Sequence, residues 1–404
     1  MTEMRFLGTE NSLWQDVFSK FATIVRMNPW KWFGERDVFA IHPDGYSEPF
    51  FVRPCHGRYA CERGLVIVYG WNANALFYRL AAGGDALHSE TRSHEMPIVL
   101  CALRKWGDLS QMEQLAAKTF AGVGDNPAGE VPAFVSFRPG WLPWHLSRVE
   151  VESTGKVLNQ VLGVLLRAED DISLIEQTVP GRIWVRRHVA ETDKWEEGWT
   201  AIQPFVEFGT GRKIGLSDGD VEKLLALPQT MPAISIDFDV VPKLSLLNAK
   251  TVQLTGEDGR LPLGYLFAIQ PFGVAADGAA APPPETGVFY PASDIGSIPK
   301  FLLSILVKFL LKSKARPKEI VVSSERTRGI LRPLQMRVPF KIVFHEKIPE
   351  YMKLLTLVRG AVQIKTQKVA SVLEDALENG RETNGKGADG EEEEDDGNAG
   401  TGEN

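Results

Sequence analysis

Strand-like apolar runs alternate with capped helical repeats along most of this chain, which restricts it to sheets covered by helices. Residues 12–27 repeat Leu13, Val17, Phe18, Phe21, Ile24 and Val25 at helical spacing, with Asn11 or Ser12 as cap and Asn28-Pro29 as stop. Strand-like runs follow at 38–41, 49–52 and 64–69, the first two joined by the turn Pro43-Asp44-Gly45. A helix near 73–81 and strands at 97–103 and 133–137 come next. Ser110 with Glu113, and Ser147 with Glu150, have the spacing of capping boxes, opening helices to Phe120 and to about Arg167. Residues 1–170 therefore read as an α+β domain.

Residues 171–230 read as a connecting segment. Within it Ile183, Val185, Arg187 and Val189 alternate with Trp184, Arg186 and His188 as a two-faced strand does, and Ser217 opens a short helix. A second domain, 231–368, begins with strands at 233–241, 251–255 and 263–270, the last two separated by the hairpin signal Glu257-Asp258-Gly259. An Ala/Gly/Pro-rich loop spans 273–287. Ser297 caps a helix over 299–312, stopped by Arg316-Pro317. A strand at 319–323, a helix from near Glu325, a strand at 340–344 and a helix from near Pro349 complete it. Residues 369–404 bring Gly, Asn and acids that bury no core and read as a disordered acidic tail. The fold class is α/β.

Hydrophobic residues are 44% of the chain and charged residues 24%, ordinary for a globular protein. No run reaches the roughly 18 apolar residues of a membrane span; residues 301–311 are interrupted by Lys308 and read as a buried helix. Residues 1–8 lack a basic patch followed by an apolar core, so no secretory signal is expected. Cys55, Cys61 and Cys101 form no even framework and suit a reducing, cytoplasmic compartment. Cys55-His56 with Cys61 offers zinc-type ligands but no second ligand pair, so small buried thiols are the favoured reading. The net charge of −7 is unevenly spread. Residues 374–404 carry twelve acids against Arg381 and Lys386, a net of −10, which leaves +3 on the rest.

Asn28-Pro29-Trp30-Lys31-Trp32, then Ser136-Phe137-Arg138-Pro139-Gly140-Trp141-Leu142-Pro143-Trp144, and the segment from Lys318 to Arg326 resemble a bacterial family of paired domains of unknown function. The likeness covers roughly residues 10 to 350 and implies no activity. The order of elements from residue 231 onwards, three strands followed by alternating helix and strand, resembles the RNase H-like fold of integrases and transposases. So does the stretch from Arg316 to Glu325, in which a proline precedes a buried strand that delivers an acid. That resemblance implies two divalent ions, Mg²⁺ or Mn²⁺, held by carboxylates and stabilising the attacking and leaving oxygens of a phosphodiester. Asp237 and Asp239 share a strand face and, with Glu325, are the candidate catalytic ligands; Asp294 and Glu350 are more distant candidates. The family pattern wants an acid directly ending the fourth strand, where this chain has Ser323 and Ser324.

Two function classes follow: a non-enzymatic binding or accessory protein with a catalytically silent RNase H-like domain, or else a divalent-metal-dependent nuclease or mobile-element-derived nucleic-acid-processing protein. Between Lys300 and Lys341 eleven basic residues face only Glu319 and Glu325. Lys308, Lys312, Lys314, Arg316, Lys318, Arg326, Arg328 and Arg332 are the candidate contacts to nucleic acid or another polyanion, with a solvated helix face as the bland alternative. The acidic tail is expected either to lie on residues 300–341 or to serve only solubility. Arg138, Trp141 and Trp144 are candidate partner-binding residues, against the simpler role of a loop seating the following helix. His145 and His188 have no Ser or Cys nearby in a recognisable nucleophile setting, and Gly209-Thr210-Gly211-Arg212 lacks a phosphate-loop lysine, so ordinary nucleotide hydrolysis is not expected.

Overall fold

A computed structural model describes residues 5–34, 37–55, 63–81, 95–141, 143–175, 181–206, 216–242, 263–272, 285–289, 295–345 and 348. The chain opens with a two-stranded hairpin, β1 (Arg5–Phe6) and β2 (Thr9–Glu10), leading directly into helix α1 (Asn11–Met27). Then come β3 (Phe39–His42), β4 (Phe50–Cys55), β5 (Arg63–Tyr69), α2 (Trp71–Ala81), β6 (Ile98–Lys105), α3 (Gln111–Ala121), β7 (Glu130–Phe137) and α4 (Arg148–Asp170). Strands β8 (Arg182–Val189) and β9 (Lys194–Ala201) follow. All seven strands from β3 to β9 form one sheet in the order β7-β6-β5-β4-β3-β8-β9, antiparallel except where β3 meets β8.

Helix α1 buries Trp14, Val17, Phe18, Phe21 and Ile24, a stripe at helical spacing, and α4 buries Val157, Leu158, Val161, Val164 and Leu165. Both lie on one face of the sheet with Phe39, Ile41, Val52, Leu65 and Ile67. The alternate residues Val38, Ala40, Phe51, Val66 and Val68 face the other way, onto Leu76 and Phe77 of α2. The two helices of the first face meet closely at Gly155. A Cβ there would lie 3.0 Å from Asp16 Oδ2, and the Gly155 carbonyl accepts from Lys20 Nζ at 3.0 Å. Both capping boxes form: Ser110 with Glu113 opens α3, and Ser147 with Glu150 opens α4. The cap of α1 differs from expectation. Glu10 occupies the position without a side-chain cap bond, because the β2 strand runs straight into the helix. Asn28 ends that helix with φ 52°, a left-handed conformation asparagine tolerates.

Beyond β9 come α5 (Asp218–Leu225), β10 (Met231–Pro242), β11 (Leu263–Pro271), β12 (Glu285–Phe289), α6 (Ile298–Ser313), β13 (Pro317–Val322), α7 (Glu325–Gln335) and β14 (Lys341–Phe344). Their sheet has the order β12-β11-β10-β13-β14. The first three strands are antiparallel neighbours, and β13 and β14 add parallel to β10, with α6 and α7 as the crossovers. Ile234, Ile236, Phe238 and Val240 alternate into the core with Leu302, Leu306 and Leu310 of α6.

Residues 182–201, assigned to a connecting segment by sequence, instead extend the first sheet, while α5 joins the second core through Val221 and Leu224. The strand β12 occupies residues 285–287 of the expected loop; its Glu-Thr-Gly start hides it, and pairing with β11 supplies what propensity does not. Ser297 precedes α6 in a helical conformation without a side-chain cap bond. The strand at 251–255, its hairpin signal, the helix from Pro349 and the acidic tail lie outside the described residues. Among the described residues no helix is long and apolar enough to cross a membrane.

Candidate functional site

The alternation that buries Ile236 and Phe238 turns Asp237 and Asp239 to the opposite face of β10. Both are buried, at 1% and 3% exposure, rather than exposed. The end of β13 and the first turn of α7 close over Asp237. The Ser323 backbone N–H and hydroxyl donate to its Oδ2 at 2.6 and 2.5 Å. The Ser324 and Thr327 hydroxyls donate to Oδ1 at 3.0 and 2.5 Å. Ser324 also caps α7, accepting from the Thr327 N–H. One carboxylate thus ties the central strand to the neighbouring strand and to the start of a helix. Asp239 Oδ1 accepts from the Val240 N–H at 2.8 Å.

Glu325 is not buried with them. It sits in the first turn of α7, where a carboxylate suits the helix dipole, and pairs with Arg328 at 2.9 Å on the surface. Among the described residues no three His, Cys, Asp or Glu side chains are grouped as metal ligands would be. Asp294 and Glu350 lie outside the described residues.

The next residue of α7 makes the second feature. Arg326 is buried at 4% exposure, and its Nη1 pairs with Oε1 of Glu95, which precedes β6 in the first domain. The guanidinium lies over the rings of Phe238, 4.7 Å from the centroid, and Tyr265, 5.6 Å away. Burial first, then the Glu95 carboxylate, push the Tyr265 phenol well above its usual value, so it stays protonated. Beside it the Leu263 N–H donates to the Gly140 carbonyl at 2.8 Å. Glu95 and Gly140 from one domain meet Arg326, Leu263 and Tyr265 from the other. The joint therefore shares a helical turn with the Asp237 network.

The basic run resolves into different roles. Arg326 leaves the polyanion set, because an arginine buried against Glu95 presents nothing to a ligand. Arg316 is half-buried, its Nε donating to the Leu227 carbonyl. Lys312 pairs with Glu285, Arg328 with Glu325, Arg337 with Asp218 and Lys341 with Glu319. Lys308, Lys314, Lys318 and Arg332 stand exposed, as does Lys300. On α6 the residues Lys300, Lys308 and Lys312 are spaced by multiples of four and form one row.

The Trp/Pro loop seats α4. Arg138 Nε donates to Glu150 Oε1 at 2.8 Å and its Nη2 to Ser147 Oγ at 2.5 Å, so it braces the capping box. Ser136 and Trp144 exchange backbone hydrogen bonds of 2.7 and 2.9 Å across the loop, and Trp141 is half-buried. Trp30 donates its indole N–H to the Gly64 carbonyl, and Trp32 packs on the first core. Cys55 and Cys101 are buried, whereas His56 and Cys61 lie outside the described residues.

Sequence reasoning missed Glu95, Tyr265, Thr327 and Gly140. Glu95 lies 231 positions from Arg326, and no local pattern joins them. Ser323 and Ser324 were noted only as departures from an acidic pattern, although a Ser-Ser-x-x-Thr run opposite a strand aspartate is itself a hydrogen-bonding signal.

Residues 14–186 match a domain of unknown function (DUF7309). No curated protein and no solved structure matches the chain. The matched stretch ends inside β8, so it takes in both helical layers of the first sheet and stops short of the second.

Proposed function

We propose that the chain is a cytoplasmic, non-enzymatic binding or accessory protein, made of paired domains of a bacterial type, whose second domain is a catalytically silent RNase H-like fold. The strand order β12-β11-β10-β13-β14, three antiparallel and two parallel strands about a central β10, supports the fold assignment. The observation that carries the silent reading is the saturation of Asp237. Its oxygens accept hydrogen bonds from Ser323, Ser324 and Thr327, and a carboxylate so engaged has few lone pairs left for a cation. In a two-metal nuclease the same oxygens face ions and nucleophilic water.

The purified chain, incubated with Mg²⁺ or Mn²⁺ and single- or double-stranded DNA or RNA, should cleave nothing, and neither ion should raise its melting temperature. Metal-dependent cleavage abolished by Asp237→Asn or Asp239→Asn would establish the nuclease instead.

A second reading rests on the lysine row of α6. Exposed Lys300 and Lys308, extended by Lys312, Lys314 and Lys318, supply cations for contact with a polyanion. The acidic run of residues 374–404 competes for that face. Ending the chain at Asn379 should tighten binding of fluorescent single-stranded DNA several-fold at ~20 mM salt, with the gain fading near physiological salt as screening grows. Equal anisotropy curves for the full and shortened chains would reduce the tail to a solubilising role.

A further inference from the structure

The first domain holds a pocket of about 260 Å³ between the sheet and the first turns of α4. Its walls come from β4 to β7 and are mostly apolar, with the rings of Tyr46, Phe50, Tyr69 and Phe137 exposed to the space. Tyr46 and Phe50 meet edge to face at 4.9 Å, and Phe50 and Tyr69 lie 4.8 Å apart, so three rings form a fixed wall. Val149, 67% exposed, stands at the mouth.

Size and charge select the occupant. An apolar cavity of roughly 150 Å³ accepts benzene, so this space suits one or two rings. A docked helix, about 10 Å across, is too large for it. The one carboxylate in the lining, Glu150, is already committed. Its Oε1 accepts from Ser136 and Arg138, and its Oε2 accepts from the backbone and hydroxyl of Ser147. A cationic ligand would therefore lose water without gaining a counter-ion, and the lining offers an anion none either, since the ammonium of Lys156, 5.9 Å from the Tyr46 ring centroid, stands in solvent outside it. The polar handles are hydroxyls: Tyr69, paired with Ser47 at 3.1 Å, and Tyr46 beside Ser153. Burial, opposed by the Ser153 hydrogen bond, raises the Tyr46 phenol above its ordinary value, which keeps it a neutral donor.

We infer that this pocket binds an uncharged, mainly apolar molecule of one or two fused rings that carries a hydroxyl or carbonyl oxygen towards Tyr46 and Tyr69. The inference is independent of whether the second domain is catalytic.

Titration of the full chain with 1-naphthol, followed by its fluorescence, should give saturable 1:1 binding. Val149→Trp should weaken that binding at least tenfold by filling the mouth, while leaving the melting temperature unchanged because the position is exposed. Naphthalene-1-sulfonate, of the same ring size but charged, should bind at least tenfold more weakly than naphthol. Non-saturable binding, equal affinity for the sulfonate, or affinity untouched by Val149→Trp would each overturn the assignment. Should Val149→Trp fail to fold, Val149→Lys places a charge at the same mouth and serves the same test.

Discussion

Arg326→Ala should cost the protein about 3–5 kcal/mol of stability, the usual consequence of stripping one partner from a buried ion pair. The Glu95 side chain has no solvent exposure and that of Arg326 has 5%, so the carboxylate loses a buried counter-charge that water cannot replace without opening the joint. The variant also loses the guanidinium stacked on Phe238 and Tyr265. Chemical denaturation followed by tryptophan fluorescence reads the effect. All ten tryptophans lie before residue 200, so the signal reports the first domain, and a change there shows the joint transmitting the loss. Two comparisons make the result decisive. Arg328→Ala, which breaks the exposed pair with Glu325 one turn position away, should cost no more than about 1 kcal/mol. Glu95→Gln combined with Arg326→Met should recover much of the single-variant loss, because removing both charges removes the desolvation problem. A cost for Arg326→Ala as small as that for Arg328→Ala would mean that the joint opens freely in solution.

The joint also bears on function. In the proposed silent fold, the end of β13 and the start of α7 are where catalytic ions and a phosphodiester would gather. Here that turn is spent twice: Ser323, Ser324 and Thr327 face Asp237, and Arg326 faces Glu95 of the first domain. A substrate reaching Asp237 from this side would have to displace the first domain. The arrangement suits a protein that uses the turn to hold two domains in register, and leaves ligand contacts to other surfaces, such as the α6 row and the α4 pocket.

Legibility in the sequence followed the range of the interactions. Helices α1, α3, α4, α6 and α7 are set by apolar spacing, joined at α3, α4 and α7 by a serine cap, and the start of each was readable to within a few residues. Strands β3 to β7 were readable because β-branched and aromatic runs bounded by turns have few alternatives. β9 was not, since Lys194-Trp195-Glu196-Glu197-Gly198-Trp199 looks like a polar loop until Arg167 and Arg186 are seen to hold Glu197. The position of Asp237 on β10 was legible, and its state was not. Whether a strand aspartate binds a cation or hydroxyls depends on residues 86 to 90 positions away. The polyanion set was overdrawn at Arg326 for the same reason: charge is visible in sequence, but the partner that buries it is not.

The sign of one stability change separates the two readings of that aspartate. In a metal site, crowded carboxylates repel one another when the ion is withdrawn, so deleting one stabilises the metal-free protein. In the network seen here, deletion does the reverse. Asp237→Ala leaves the Ser323 backbone N–H and up to three hydroxyls without their acceptor in a buried place, each orphan costing about 1–3 kcal/mol. The Ser324 and Thr327 hydroxyls lie 2.8 Å apart and can re-pair, which brings the expected total to about 2–4 kcal/mol. Asp237→Asn should fall between, since its amide oxygen serves one side while its N–H₂ confronts donors on the other, and the Ser323 backbone N–H cannot rotate away. Measured in EDTA, Asp237→Ala should therefore melt well below the parent chain, with the same gap in excess Mg²⁺. A variant that melts higher than the parent in EDTA, and loses a metal-induced gain, would return Asp237 to the nuclease.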